Sequence, residues 1–422
     1  MIMANSSSHL HLFSTLLIII SSTQAQQFKP TSLVLAIHKD PTTQLHIANI
    51  TQRTPKLSFP FVIDLNGHSL WENCDPRYRS STYQAPRCGS PQCSLAGARA
   101  CLTCPSSRPR QGCHNNTCGV TSINPVSHTS GLTELAEDAL SVRPITNSGS
   151  NAGPLLTVPR FLFACAPASL LRQTKTNVLP KGVQGFAGLG PSPIAFPTQL
   201  SSRLGLPRKF AICLDYDGLV LFGDGPYIVL PGIDISKSLS YTPLAITREG
   251  EYSIGITSIQ INNKNVPLST STSTPIATKI STVIPYTILQ SDIFKAMTQF
   301  YAKELKSVPR VANVAPFGMC FNATYIGYSR MGPAVPGIDL VLHRKDVVWR
   351  LFGANVVTRG GNDAVCLAFV DGGARPGAPI TVGAMQLENY LLQFDLGGSR
   401  LGFTRDTLLF QRTRCSNFNF TS

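Results

Sequence analysis

Twelve cysteines constrain this chain more than any other feature. All fall after residue 73: Cys74, Cys88, Cys93, Cys101, Cys104, Cys113, Cys118, Cys165, Cys213, Cys320, Cys366 and Cys415. An even set of thiols reads as a disulfide framework in an oxidising compartment, and as metal or redox chemistry elsewhere. The N-terminus decides between the two. Residues 1–25 contain no Lys, Arg, Asp or Glu, and an apolar run over 12–20 leads into Ser21-Ser22-Thr23-Gln24-Ala25. This is the pattern of a secretory signal with cleavage expected after Ala25, although its start lacks the usual basic residue. The run is too short to span a bilayer, and no later stretch approaches about 18 apolar residues, so no membrane partner is expected.

Secretion turns the cysteines into six expected disulfides. Six of the cysteines crowd from Cys88 to Cys118, where they are expected to staple a protruding loop region with little regular structure. Their pairing stays open. The rival reading is zinc, prompted by Cys101-x-x-Cys104 and nearby His114; oxidation of secreted thiols argues against it, and no metal is assigned. Sequons at Asn49, Asn115, Asn322 and Asn419 are candidate glycosylation sites and favour surface loops there.

With 422 residues the chain exceeds the roughly 250–300 that one core supports, so two lobes are expected. The 43% apolar content is that of a globular chain, and the 14% charged content, with no repeat period, excludes disorder and coiled coil. The net charge of +14 points to acidic partners. The mature chain reads as mostly β. Strands are expected at Ser32 to Ile37, Leu45 to Ala48, Phe61 to Ile63 and Phe210 to Leu214, each short and bounded by turn residues. One clear helical stripe covers 291–307 through Ile293, Phe294, Met297, Phe300, Tyr301 and Leu305, and a shorter helix is expected from Thr198 to Leu204.

Two patterns recur in the halves. Phe61-Val62-Ile63-Asp64-Leu65-Asn66-Gly67 is matched by 276–283, and Gln184 to Gly190 by Pro379 to Ala384. Each half thus carries an apolar strand before a polar turn, then an apolar strand ending at glycine. FVIDLNGHSLW at 61–71, GVQGFAGLGPSPIAFPTQL at 182–200 and ITVGAMQLENYLLQFDLGGSRLGF at 380–403 resemble, in order, segments of the plant pepsin-like aspartic proteases. The resemblance implies an all-β, bilobal pepsin-like fold: an N-terminal lobe over 26–235 carrying the Cys-rich insertion, and a C-terminal lobe over 236–422. It also implies the pairs Cys74–Cys165, Cys213–Cys415 and Cys320–Cys366.

Catalysis in that family needs two carboxylates about 3 Å apart that share a proton and activate one water. Here the first turn keeps Asp64, but Leu65 and Asn66 replace the residues that follow it in the Asp-Thr/Ser-Gly pattern. The matching position of the second turn is Ser281, which has no carboxylate. The expected flap, 123–131, lacks its tyrosine. Asp292 reads as a helix cap, Asp395 as part of a hairpin and Asp371 as a loop residue, so none replaces the missing carboxylate. The resemblance therefore implies a protease homologue that does not cut.

No G-x-S-x-G, P-loop, G-x-G-x-x-G or H-E-x-x-H occurs, and no cofactor is expected. Basic pairs at Arg108/Arg110, Arg208/Lys209 and Arg344/Lys345 are scattered as on a solvated surface, which argues against nucleic acid. Cys-rich loops, Lys279-Ile280-Ser281-Thr282 and the C-terminal Cys-Ser-Asn-Phe-Asn-Phe-Thr-Ser are similar to one inactive branch. It comprises the extracellular dermal glycoproteins, xyloglucan-specific endoglucanase inhibitor proteins and basic 7S globulins, with the cereal xylanase inhibitors more distant. The branch implies an apoplastic protein that blocks microbial cell-wall glycoside hydrolases with arginines from two loops. Arg330, in Gly327-Tyr328-Ser329-Arg330-Met331-Gly332-Pro333, matches the first loop. Arg375 lies about two residues before the expected place in the second. Acidic wall polysaccharide is a further expected partner. The alternatives are residual aspartic-protease activity resting on Asp64 and a peptide-binding or storage globulin.

Overall fold

The computed structural model describes residues 30–75, 78–105, 108–145, 151–174, 178–230, 233–268, 274–361 and 363–417. The expected signal segment and the sequon at Asn419 lie outside these residues. A fourteen-stranded sheet runs through both halves of the chain. It begins with Ser240–Pro243, Arg400–Phe403 and Leu391–Asp395, and continues through Lys209–Cys213, Asp217–Gly223, Ser32–Lys39, His46–Gln52 and Leu57–Asp64. It ends with Gly185–Gly188, Leu70–Asn73, Leu156–Ala166, Thr129–Pro144, Thr117–Asn124 and Ala100–Leu102. A six-stranded sheet in the second half contains Tyr252–Ile256, Ile276–Ile280, Ile380–Val382 and Thr287–Leu289.

All four expected strands form, three of them longer than their apolar runs: the first reaches Lys39, the second shifts to His46–Gln52, and the third extends over Leu57–Asp64. Phe61, Val62 and Ile63 are the inner end of Leu57–Asp64, and all three are fully buried. Such a run has apolar side chains on both faces, which suits a strand covered on both sides. It lies between antiparallel His46–Gln52 and parallel Gly185–Gly188, with Asp64 opposite Gly188. The second half repeats the device. Ile276–Ile280 runs parallel to Ile380–Val382, and the Ser281 N–H donates to the Val382 carbonyl at 2.9 Å. Glycine ends the first partner strand and directly follows the second for a steric reason: a Cβ on Gly188 would lie 2.4 Å from the Gly67 carbonyl oxygen, and one on Gly383 2.5 Å from the Tyr286 carbonyl carbon.

The long helix spans Ser291–Glu304, three residues shorter than its stripe. Ile293, Met297 and Tyr301 bury one face; Leu305 caps the end, and Pro309 soon follows. Gln290 is the N-cap, so Asp292 lies within the first turn and is not the cap that the sequence led us to expect. The shorter helix, Phe196–Leu204, begins two residues early because Pro197 is suited to a first turn, and it ends at Gly205 with φ +66°. Asp395 sits at the hairpin between Leu391–Asp395 and Arg400–Phe403, bonded to the Gly398 N–H and to the Arg400 guanidinium, each at 2.9 Å. Asp371 ends a strand and accepts from the Ser291 hydroxyl at 2.7 Å.

All twelve cysteines are paired. Cys74–Cys165, Cys213–Cys415 and Cys320–Cys366 form, as the resemblance implies, and the crowded six pair as Cys88–Cys101, Cys93–Cys118 and Cys104–Cys113. The Cys-rich region is more regular than expected. Pro91–Leu95 forms a short helix, and Ala100–Leu102 adds an edge strand to the large sheet. Of the basic pairs, Arg110 faces Asp75 at 3.6 Å, Lys209 binds Asp224 at 2.9 Å and Arg344 binds Asp346 at 3.1 Å.

Candidate functional site

The two repeated turns meet at a cleft of about 490 Å³ that Asp64 and Ser281 both line. Each turn is closed the same way. The Asp64 carboxylate accepts from the Asn66 N–H at 3.0 Å, and the Ser281 hydroxyl accepts from the Val283 N–H at 3.3 Å. The turns also grip one another. The Thr282 hydroxyl donates to the Ile63 carbonyl at 2.7 Å and accepts from the Leu65 N–H at 2.9 Å. Leu65 has no hydroxyl to return the contact. Asn66 does so instead: its amide donates to the Ile280 carbonyl at 2.8 Å, while its oxygen accepts from the Tyr252 N–H at 3.0 Å.

Asp64 is buried, and burial pushes its carboxyl up to about 6, against the N–H groups of Asn66 and Gly67 that favour the anion, with Glu251 adding to the rise. Across the cleft Glu251 forms an ion pair with Lys279. The hairpin between Thr117–Asn124 and Thr129–Pro144 overhangs this cleft where the flap is expected, and Trp71 ties it down, donating its indole N–H to the Ile123 carbonyl at 3.0 Å. At the two turns the cleft thus offers one carboxyl, Asp64, and one serine hydroxyl, Ser281, with Glu249 and Glu251 elsewhere on its wall.

The two candidate arginines do not line a common depression. Arg330 stands exposed at the tip of a small hairpin in which Tyr328 pairs with Pro333 and Ser329 with Gly332. Its depression, about 300 Å³, belongs to the C-terminal segment and includes Arg412 and Arg414, which the sequence reading missed. The available signal was two arginines flanking one residue just before Cys415. Arg375 is exposed too, beside Pro376 and Gly377 at the central cleft. Of the sequons, Asn49 is exposed but lies within a strand, not in a loop; Asn115 is exposed; and Asn322 is half-buried as the cap of the turn Ala323–Tyr325. The zinc candidates are otherwise engaged: Cys101 and Cys104 belong to different disulfides, and the His114 ring meets Glu134 at 3.0 Å.

Residues 46–224 match the family model described as xylanase inhibitor N-terminal, and 251–405 the one described as xylanase inhibitor C-terminal. Gamma conglutin 1 of Prunus dulcis is 50% identical over 96% of this chain and 94% of its own length. The protein named "Probable aspartic proteinase GIP2" in Nicotiana benthamiana is 45% identical over 98% of both chains. Basic 7S globulin of Glycine max is 42% identical over 93% of both. Among solved structures, that of edgp superposes with a TM-score of 0.86 at 46% identity, covering 94% of this chain and 99% of the other. An aspartic proteinase from Irpex lacteus, 16% identical, matches with a TM-score of 0.56 over 88% of this chain and 96% of its own, a likeness of fold alone.

Proposed function

Because this chain belongs to the xylanase-inhibitor family of pepsin-like proteins, we propose that it is a secreted, proteolytically inactive homologue that inhibits microbial cell-wall glycoside hydrolases. The matching of both halves by xylanase-inhibitor models is the observation that carries this reading. The cleft supports its inactive part: the position of the second turn that matches Asp64 is Ser281, which has no carboxyl to share a proton, and the nearby Glu251 is paired with Lys279. We read 26–235 and 236–422 as its two lobes and the apoplast as its location.

A glycosidase cleft presents two carboxylates about 5–9.5 Å apart. A planar, permanently charged guanidinium fits between them and bonds both. Arg330 is the better placed for this role, on a hairpin tip held by the Ser329 hydroxyl, which accepts from the Met331 N–H at 3.1 Å. Arg375 is the second contact, beside the central cleft. The target is a xyloglucan endoglucanase or a xylanase.

Inhibition assays against both enzyme classes test this. Wild-type protein is expected to inhibit at least one, Arg330→Ala to weaken inhibition on the order of 10²-fold, and Arg375→Ala to weaken it less. Inhibition of neither class overturns the reading. A second reading, a storage or peptide-binding globulin, is favoured by the names of the gamma conglutin and basic 7S globulin relatives. Internal processing of the mature chain together with absent inhibition would select it. Peptide hydrolysis at pH 3–6 that Asp64→Asn abolishes would instead establish a protease.

A further inference from the structure

We propose that the depression between the hairpin 328–333 and the C-terminal segment 408–417 is a binding site for an acidic glycan, a chain of uronic-acid sugars. Three arginines line it, Arg330, Arg412 and Arg414, together with Leu409, Thr413 and Asn417, and the lining includes no carboxylate. Among the described residues none of the three guanidinium groups has an ion-pair partner. The acidic residues nearest along the chain, Asp406 to Arg412 and Arg414 and Asp339 to Arg330, face Arg350 instead, at 3.9 and 3.7 Å. Three like charges around one small depression repel one another, and a bound polyanion relieves that repulsion.

The site is built rigidly. Cys415 is fully buried in its disulfide to Cys213, and buried Thr413 lies between the two exposed arginines, its N–H donating to the Leu408 carbonyl at 3.1 Å. Arg412 adopts φ +61°, a left-handed turn that favours glycine or asparagine, so an arginine there is not explained by backbone preference. The opposite wall is seated as firmly. The Met331 carbonyl accepts from the Ala354 N–H at 2.8 Å, and a Cβ on Gly353 would lie 1.9 Å from the Pro333 carbonyl oxygen. Phe352, just before Gly353, stacks on Phe410 of the C-terminal segment with centroids 6.4 Å apart, joining the two walls.

Exposed rings give the ligand class. Tyr328 and Phe410 stand on the two segments that border the depression, just outside its lining, and are 64% and 53% exposed. Aromatic faces stack against the C–H faces of sugar rings, while guanidinium groups bond carboxylates bidentately. A uronate chain supplies both partners at every unit, whereas an acidic peptide supplies the carboxylates alone. Nucleic acid offers stacking and charge, but twelve paired cysteines place the folded chain in an oxidising compartment outside the cytosol. This inference does not rest on hydrolase inhibition, and its test spares the residue common to both proposals.

The probe is a size-defined oligogalacturonate, titrated calorimetrically at low salt. Binding is expected for the wild type and absent for the fully methyl-esterified probe. Arg412→Gln with Arg414→Gln should weaken binding at least ~10-fold, whereas the charge-matched pair Arg344→Gln with Lys345→Gln should change it less than ~2-fold. Tyr328→Ala should weaken it by several-fold. Equal losses in the two charge-matched pairs would mean general attraction to a basic protein and would overturn the site. So would no binding at all, or tighter binding of poly-glutamate or single-stranded DNA than of the uronate probe.

Discussion

The turns at Asp64 and Ser281 have the same setting in the fold and different chemistry. Each follows an apolar strand, each runs beside a parallel strand that ends at glycine (Gly188) or is followed at once by one (Gly383), and each closes with an N–H to the side chain two residues before it. They are also bridged in both directions, but not by equivalent residues. Thr282 caps the carbonyl before Asp64, and Asn66 caps the carbonyl before Ser281. The scaffold's demand for paired carbonyls is therefore met even where the Thr position has become Leu65. The demand for a second carboxylate is not structural, and at Ser281 it is unmet. Buried backbone groups must find partners for the chain to fold, whereas a catalytic carboxylate is dispensable to folding.

The largest expected effect comes from breaking the first bridge. Thr282→Val leaves the Ile63 carbonyl and the Leu65 N–H without partners at a buried site and should cost about 2–4 kcal/mol, read as a lowered denaturant midpoint. Asp64→Asn tests the other side of the comparison. The carboxyl has a folded pKa of about 6 against an ordinary value of 3.8, so the folded protein binds this proton more tightly than the unfolded chain. The cost of burying the anion is full above pH 6 and disappears as the pH falls through 6 toward 4. Asp64→Asn should thus stabilise the protein by on the order of 2 kcal/mol at pH 7 and leave it nearly unchanged at pH 4. Melting curves at the two pH values check this, and equal shifts at both would refute the burial argument.

Asn66→Ala should be milder, about 1–2 kcal/mol, because Asn66 is only partly buried and water can reach the groups it leaves. If it costs as much as Thr282→Val, the two bridges are equivalent in strength as well as in position. Chemical denaturation of both variants and of the double variant gives the coupling between them.

What was legible in the sequence follows the range of the forces involved. The run of Phe61 to Ile63 and the stripe of Ile293, Met297 and Tyr301 announce their elements because burial pattern is local. The internal repeat exposes Asp64 and Ser281 as equivalent positions. The part played by Asn66 was not legible: in the sequence it is only a departure from glycine, and its partners lie 214 and 186 residues away. Arg412 and Arg414 were missed for the same reason. Their segment is anchored through Cys213, 202 residues from Cys415, and only that closure sets them beside Arg330. The helix end near Pro309 was overrun because a periodic stripe does not mark where the backbone stops following it.

The smallest expected effect belongs to the change that seems most direct. Ser281→Asp places a carboxyl at the second turn of the cleft that Asp64 lines, which restores the elementary requirement for a shared proton. Activity needs more than the pair. Leu65 still lacks the hydroxyl of the usual turn, the amide of Asn66 occupies the return bridge, and 123–131 carries no tyrosine over the cleft. Burial already raises Asp64, and a second acid beside it raises the pair further, so near neutral pH at least one of the two stays protonated. Peptide hydrolysis by Ser281→Asp should therefore stay at the wild-type level from pH 3 to 6, while the pH dependence of its melting temperature steepens. Cleavage by this single variant would mean that the serine alone separates the two turns in function and that the altered first turn is catalytically competent as it stands.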